Sequence, residues 1–206
     1  MALRLNGSSS GYVELDVPAA AGSHTLTLPD SGGSSGQYLQ TNGSGGLSWQ
    51  TVTDTTTNLT RGTETSLTGT SVSFSSLPSG IRKIYLVIKQ LSQTVVHRPI
   101  VQIGTGGTLK TTGYTSIGGY GASIVTETTG FTMYFQGAAH NLDAVMTLYN
   151  IGGNDWVSEH TGGSVGWSTV NSGGGSVSLS GELDIISIVM GSGTFDAGTV
   201  NIFYEV

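Results

Sequence analysis

Cysteine is absent from the 206 residues, so no disulfide framework, thiolate nucleophile or cysteine metal ligand is available. Charge is scarce: Lys and Arg total 7 and Asp and Glu 13, for a net charge of −6. A bare nucleic-acid binder needs a basic stripe, and so few dispersed cations do not make one. The densest group, Arg82, Lys83 and Lys89, falls within one expected strand, where it protects an edge or a solvated face. Long hydrophobic runs are also missing. Nothing approaches a membrane span, and the opening MALRL is too short for the apolar region of a signal peptide. No window of a dozen residues repeats its apolar positions near the helical period of 3.6, so helices are not expected. The histidines, His24, His97, His140 and His160, are scattered, with no pair at metal-ligand spacing on one element. The expectation is therefore a protein without cofactor, metal, nucleic-acid partner or membrane-inserted segment.

What is abundant is glycine, serine and threonine, together roughly two-fifths of the chain, with apolar residues at 36%. Thr, Val, Ile, Tyr and Phe suit half-buried pleated surfaces, and Gly and Ser suit the turns between them. The first 52 residues alternate weakly. YVELDV puts Val13, Leu15 and Val17 on one face, HTLTL pairs Leu26 with Leu28, and LSWQTV opens with Leu47 and Trp49 on one face. DSGGSSG and TNGSGG between them are strong turn formers. Residues 53–62, within the polar run TDTTTNLTRGTET, read as a linker. From residue 63 to 206 the alternation strengthens: SVSFSSL, IRKIYLVIKQL, RPIVQIG, GASIVTET, FTMYFQG, AVMTLYNIG, SVSLSGELDIISIVM and VNIFYEV. In IRKIYLVIKQL, Ile84, Leu86 and Ile88 take one face and Lys83, Tyr85, Val87 and Lys89 the other. About eight strands separated by glycine-rich turns argue for an all-β chain: a small N-terminal β segment, then an antiparallel β-sandwich of jelly-roll type that folds on its own.

Catalytic patterns are poor. Ser9, Ser34 and Ser164 each match G-x-S-x-G, but that elbow needs a strand, a tight turn and a helix, and no helix follows any of them. GTGGTLK, residues 104–110, lacks the spacing of a phosphate loop and reads as a hairpin turn. Glu182 and Asp184 share one strand face. Such a pair could hydrolyse a glycan, but Leu183 and Ile185 on the opposite face mark an ordinary half-buried strand. The remaining functional signal is aromatic: Tyr114, Tyr120, Trp156 and Trp167 lie in or beside glycine-rich stretches. Aromatic side chains exposed on loops stack on sugar rings and anchor protein interfaces. These four are the candidate receptor contacts.

The segment GYVELDVPAAAGSHTLTLP…GQYLQTNGSGGLSWQ resembles a motif recurrent in tail fibres and related virion proteins of bacteriophages, notably cyanophages. Its parts are a G-Y-V-x-L strand, a P-A-x-A-G turn, a T-L-T-L-P strand and a G-Q-x-L-x-T-x-G-x-G-x-L-x-W close. They are carried here by Gly11 to Leu15, Pro18 to Gly22, Thr25 to Pro29 and Gly36 to Trp49. The remainder, with LPSGIRKIYLVI, QIGTGG…TTGY and GTFDAGTVNIFYE, resembles a phage β-sandwich domain found at the ends of fibre-like proteins. The resemblance implies a non-enzymatic structural protein on the virion surface, assembled in the bacterial host cytoplasm. Its N-terminal segment would attach to other virion proteins of the tail or capsid, and its sandwich would contact a host surface glycan or protein. A head-decoration, cement or head-fibre protein and a polysaccharide depolymerase are the alternatives.

Val13, Leu15, Val17, Leu26, Leu28, Leu39, Leu47 and Trp49 are too few to offset the entropy of ordering the first 52 residues, at roughly 1–2 kcal/mol per residue for backbone alone. Several copies that bury one another's apolar faces can do so. Val13, Leu15, Val17, Leu26, Leu28, Leu47 and Trp49 are accordingly the candidate oligomerisation residues, and the resemblance implies a homotrimer.

Overall fold

The computed structural model describes residues 3–16, 18–20, 22–52, 59–134, 137–138, 140–164, 166 and 168–206. Val17 and Trp167, named above as candidates, lie outside the described residues. The chain divides into two compact units, Met1–Thr56 and Thr57–Val206.

The first unit contains two separate antiparallel hairpins. Strands β1 (Leu3–Asn6) and β2 (Tyr12–Leu15) pair Leu3 with Leu15, Arg4 with Glu14, Leu5 with Val13 and Asn6 with Tyr12. Strands β3 (Gln37–Thr41) and β4 (Leu47–Thr51) pair Leu39 with Trp49 and Thr41 with Leu47. Asn42 shapes the turn between them: its Oδ1 accepts from Ser44 N at 2.8 Å and from Gly46 N at 2.9 Å. The HTLTL stretch does not form the strand expected of it. Only Thr27 makes a bridge, to Gly46, and Leu26 and Leu28 remain exposed. Two alternating leucines are too short a run to hold a strand without a full partner.

The second unit is an antiparallel β-sandwich. Its strands are β5 (Thr60–Arg61), β6 (Thr65–Ser66), β7 (Ser71–Ser75), β8 (Lys83–Gln93), β9 (Pro99–Thr105), β10 (Thr108–Leu109), β11 (Thr115–Tyr120), β12 (Ser123–Glu127), β13 (Phe131–Thr132), β14 (Leu142–Gly152), β15 (Asp155–Ser164), β16 (Thr169–Ser178), β17 (Ile185–Met190) and β18 (Phe195–Glu205). The large sheet runs β12-β11-β16-β15-β14-β8-β18-β5, with β6 also on β18. The small one runs β10-β9-β17-β7, with β13 also on β9. Thr60 and Arg61 lie in the stretch read as a linker, yet they pair with Tyr204 and Phe203 of β18. The reason is local: Gly62 N donates to Ile202 O at 2.8 Å, where the unpaired edge of the last strand takes up this polar segment.

The core follows the alternation. Ile84, Leu86, Ile88 and Leu91 of β8 meet Leu142, Met146 and Leu148 of β14 and Val200 and Ile202 of β18, and all are buried. Val101, Ile103, Ile186 and Ile188 cover them from the small sheet. One end of the large sheet differs. Across β11, β16 and β15 the register brings Gly118 beside Gly173 and His160, and Ser116 beside Gly175 and Ser158. Small and polar residues replace the aliphatic core here.

Candidate functional site

Two of the proposed receptor aromatics belong to the core. Tyr114 is 1% exposed and Trp156 2%. Tyr114 Oη accepts from Ile103 N at 2.9 Å and faces the carbonyl oxygens of Lys110 and Ile103 at 3.1 and 3.2 Å. Its ring stands edge-on to Phe131 at 4.9 Å. Burial pushes its hydroxyl pKa up to about 12, so it is a neutral structural phenol. The preceding GGN suggests a loop for Trp156, but it lies on β15, where its alternate position turns it inward. Neither can stack on an external ligand. Tyr120 is half-buried, with its ring 5.0 Å from that of Tyr134. With Ile117, Gly119, Ile124 and Val170 it lines a cleft of about 270 Å³. Ser164 is buried on β15 rather than raised on an elbow. Asp184 is tied to a turn, accepting from Gly107 N at 3.1 and 3.0 Å, while Glu182 lines a different cleft beside Arg82 and Asn150. Among the described residues no cluster of three His, Cys, Asp or Glu residues could hold a metal.

Two further surfaces among the described residues have organised and accessible side chains. The first is the β1–β2 hairpin. Cross-strand partners share a face, so Leu3, Leu5, Val13 and Leu15 form a continuous apolar square. They are 58%, 55%, 66% and 62% exposed. The opposite face is finished: Arg4 Nη2 pairs with Glu14 Oε2 at 3.0 Å and its guanidinium lies 4.0 Å from the centre of the Tyr12 ring. In the second hairpin Leu39, Leu47 and Trp49 share a face, with Leu39 43% exposed. Trp49 is partly covered, its Nε1 donating to Ser31 O at 2.8 Å with its ring over Gly33. A side chain at Gly33, whose φ is +72°, would strike that ring. Leu3 and Leu5 were not among the assembly residues expected from sequence; the alternation L-R-L-N was a signal too short to be read as a strand.

The second surface is the outer face of the large sheet. Its register aligns Phe203, Tyr85, Thr147 and Glu159 in one row and Glu205, Lys83, Tyr149 and Val157 in the next. Tyr149 donates its hydroxyl to Glu159 Oε1 at 2.9 Å. Lys83 Nζ lies 4.5 Å from the Tyr85 ring centre and 5.3 Å from that of Tyr149. Hydrogen bonding to Tyr85 raises the Lys83 pKa further, keeping the ammonium charged, and the bond to Glu159 raises that of Tyr149, keeping the phenol protonated. The period-2 pattern of IRKIYLVIKQL had already put Lys83 and Tyr85 on the face away from the core. What it could not supply was Tyr149, Glu159 and Phe203, which arrive from other strands.

No protein-family model, curated protein or solved structure matches the chain.

Proposed function

We propose that the chain is a non-enzymatic structural protein of a bacteriophage virion: a short, trimeric, tail-fibre-like appendage whose N-terminal unit assembles and whose sandwich contacts the host surface. The phage assignment rests on the motif that runs from Gly11 to Trp49. The assembly half is supported above all by the uncovered apolar square Leu3, Leu5, Val13 and Leu15. A two-stranded hairpin is marginal in water by itself. Removing the remaining exposed surface of each of these side chains from water contributes about 1–2 kcal/mol. Hairpins from several copies packed about an axis gain that stabilisation in every copy, and the charged face with Arg4 and Glu14 stays in solvent.

Sedimentation of the full chain tests this. The expected species is a trimer, and the double variant Leu5→Ser/Val13→Ser shifts it to monomer without unfolding the sandwich. A full-length monomer in which residues 3–15 are ordered would refute the assembly. Immuno-electron microscopy of the particle tests the location, with label expected at the tail; label spread over the capsid would replace the tail with the head.

A further inference from the structure

The outer face of the large sheet carries chemistry that the assembly through the N-terminal hairpins does not use. Tyr85, Tyr149 and Phe203 present aromatic surface beside a carboxylate, Glu159, and an ammonium, Lys83. The Lys83 ammonium lies between two carboxylates, Glu205 beside it and Glu159 beyond Tyr149, so the patch has no excess of positive charge to select a polyanion. A pyranose ring fits such a surface on both counts. Its C–H face packs on an aromatic ring. Each hydroxyl both donates and accepts, matching the acceptor-only carboxylate and the donor-only ammonium. A protein partner fits less well: Lys and Glu are depleted at the centres of protein interfaces, where burying a charge carries a large desolvation cost.

The neighbouring strand adds room. Glu159 is paired with Gly174 of β16, which Ser172 and Ser176 flank on the same outward face. These three small residues leave an open floor beside the aromatic shelf. A second sugar unit can lie along that floor, between Glu159 on one side and the exposed side chain of Ile117, the partner of Gly174 on β11, on the other. The geometry points to a binding site for neutral pyranose glycans on this face, with Tyr85 and Tyr149 as the stacking surfaces and Lys83 and Glu159 as the hydroxyl partners. The inference deepens the host-contact half of the proposed function and rests on it. It moves the contact from the glycine-rich loops to the face of the sheet.

Saturation-transfer NMR on the full chain, with the methyl glycosides of glucose, galactose, mannose and N-acetylglucosamine each at about 10 mM, reads the weak binding expected of single sugars. Transfer to ring C–H protons of at least one glycoside is expected. Tyr149→Ala and Lys83→Ala, both at the surface, should each weaken that binding about tenfold or more while the amide spectrum stays native. Ile124→Ala, elsewhere on the same face, should leave it unchanged. No transfer to any of the four glycosides overturns the proposal, as does transfer that survives Tyr85→Ala/Tyr149→Ala. Dissociation of the full-chain oligomer by that double variant would make the face a contact between copies and equally overturn it. A trimer that binds no sugar loses this site and keeps the assembly; a monomer that binds sugar does the reverse.

Discussion

Lowering the pH should destabilise the sandwich through one buried imidazole. His160 sits on β15 with 5% of its surface exposed. Its register neighbours are Met146 and Gly173, and neither ring nitrogen has a hydrogen-bonding partner among the described residues. Glycine is what admits it: a methyl group on Gly173 would lie 2.5 Å from its Cε1, and one on Gly118 would lie 3.4 Å away. Burial lowers its pKa from 6.5 to about 4. The folded protein therefore holds the neutral ring, while the unfolded chain takes up a proton near pH 6.5. Between those values the unfolded state binds more protons, so stability falls as pH falls. The contribution is intact above about pH 6.5 and decreases by about 1.4 kcal/mol per pH unit below it, reaching a loss of about 2 kcal/mol at pH 5. Below about pH 4 both states are protonated and the loss levels off near 3 kcal/mol. Urea unfolding at pH 7.5 and pH 5, followed by near-ultraviolet circular dichroism, measures this directly. The wild type should lose about 2 kcal/mol more between the two pH values than His160→Met, in which no proton can bind. Carboxylates titrate in both proteins and cancel in the comparison. Equal losses in the two proteins, or an imidazole resonance of His160 titrating near pH 6.5 in the folded state, would refute the reasoning.

Three further outcomes follow from the same packing. Gly173→Ala should cost about 2 kcal/mol or more, because its methyl group meets the His160 ring and the Gly118 Cα, 2.7 Å away, and thermal melting reads the loss. Tyr114→Phe should lower stability by about 1–3 kcal/mol, since Ile103 N loses its buried acceptor, while host adsorption per folded molecule stays unchanged; weaker adsorption at full stability would restore Tyr114 as a receptor contact. Asp184→Ala should cost about 1 kcal/mol by freeing the Gly107 turn, measured by urea unfolding, because its carboxylate holds a backbone donor.

The strands that alternate large apolar residues with polar ones were legible without the fold. Ile84, Leu86 and Ile88 face the core as their spacing demands, and the sandwich is antiparallel as the short, evenly spaced strands imply. Period 2 is a property of one strand, and burying one face of it is enough to fix which side chains turn inward. The glycine-rich segments were not legible. Neither TSIGGY nor NSGGGS falls in an expected strand, because glycine is a poor strand former, yet they pair along their length as parts of β11 and β16. Only the sheet around them shows why: glycines at 118 and 173 leave room for the imidazole of His160 from the next strand. The same limit governed the sites. Local composition suggests exposed loops for Tyr114 and Trp156, whereas Trp156 is turned inward by its place on β15 and Tyr114, just before β11, is buried against Ile103 and Phe131. The outer-face cluster needs Tyr85 from β8, Tyr149 from β14, Glu159 from β15 and Phe203 from β18. Sequence determines the face on which each of these residues lies; their meeting depends on strand order and register, which are set by pairings between segments up to a hundred or more residues apart and are written in no single one of them.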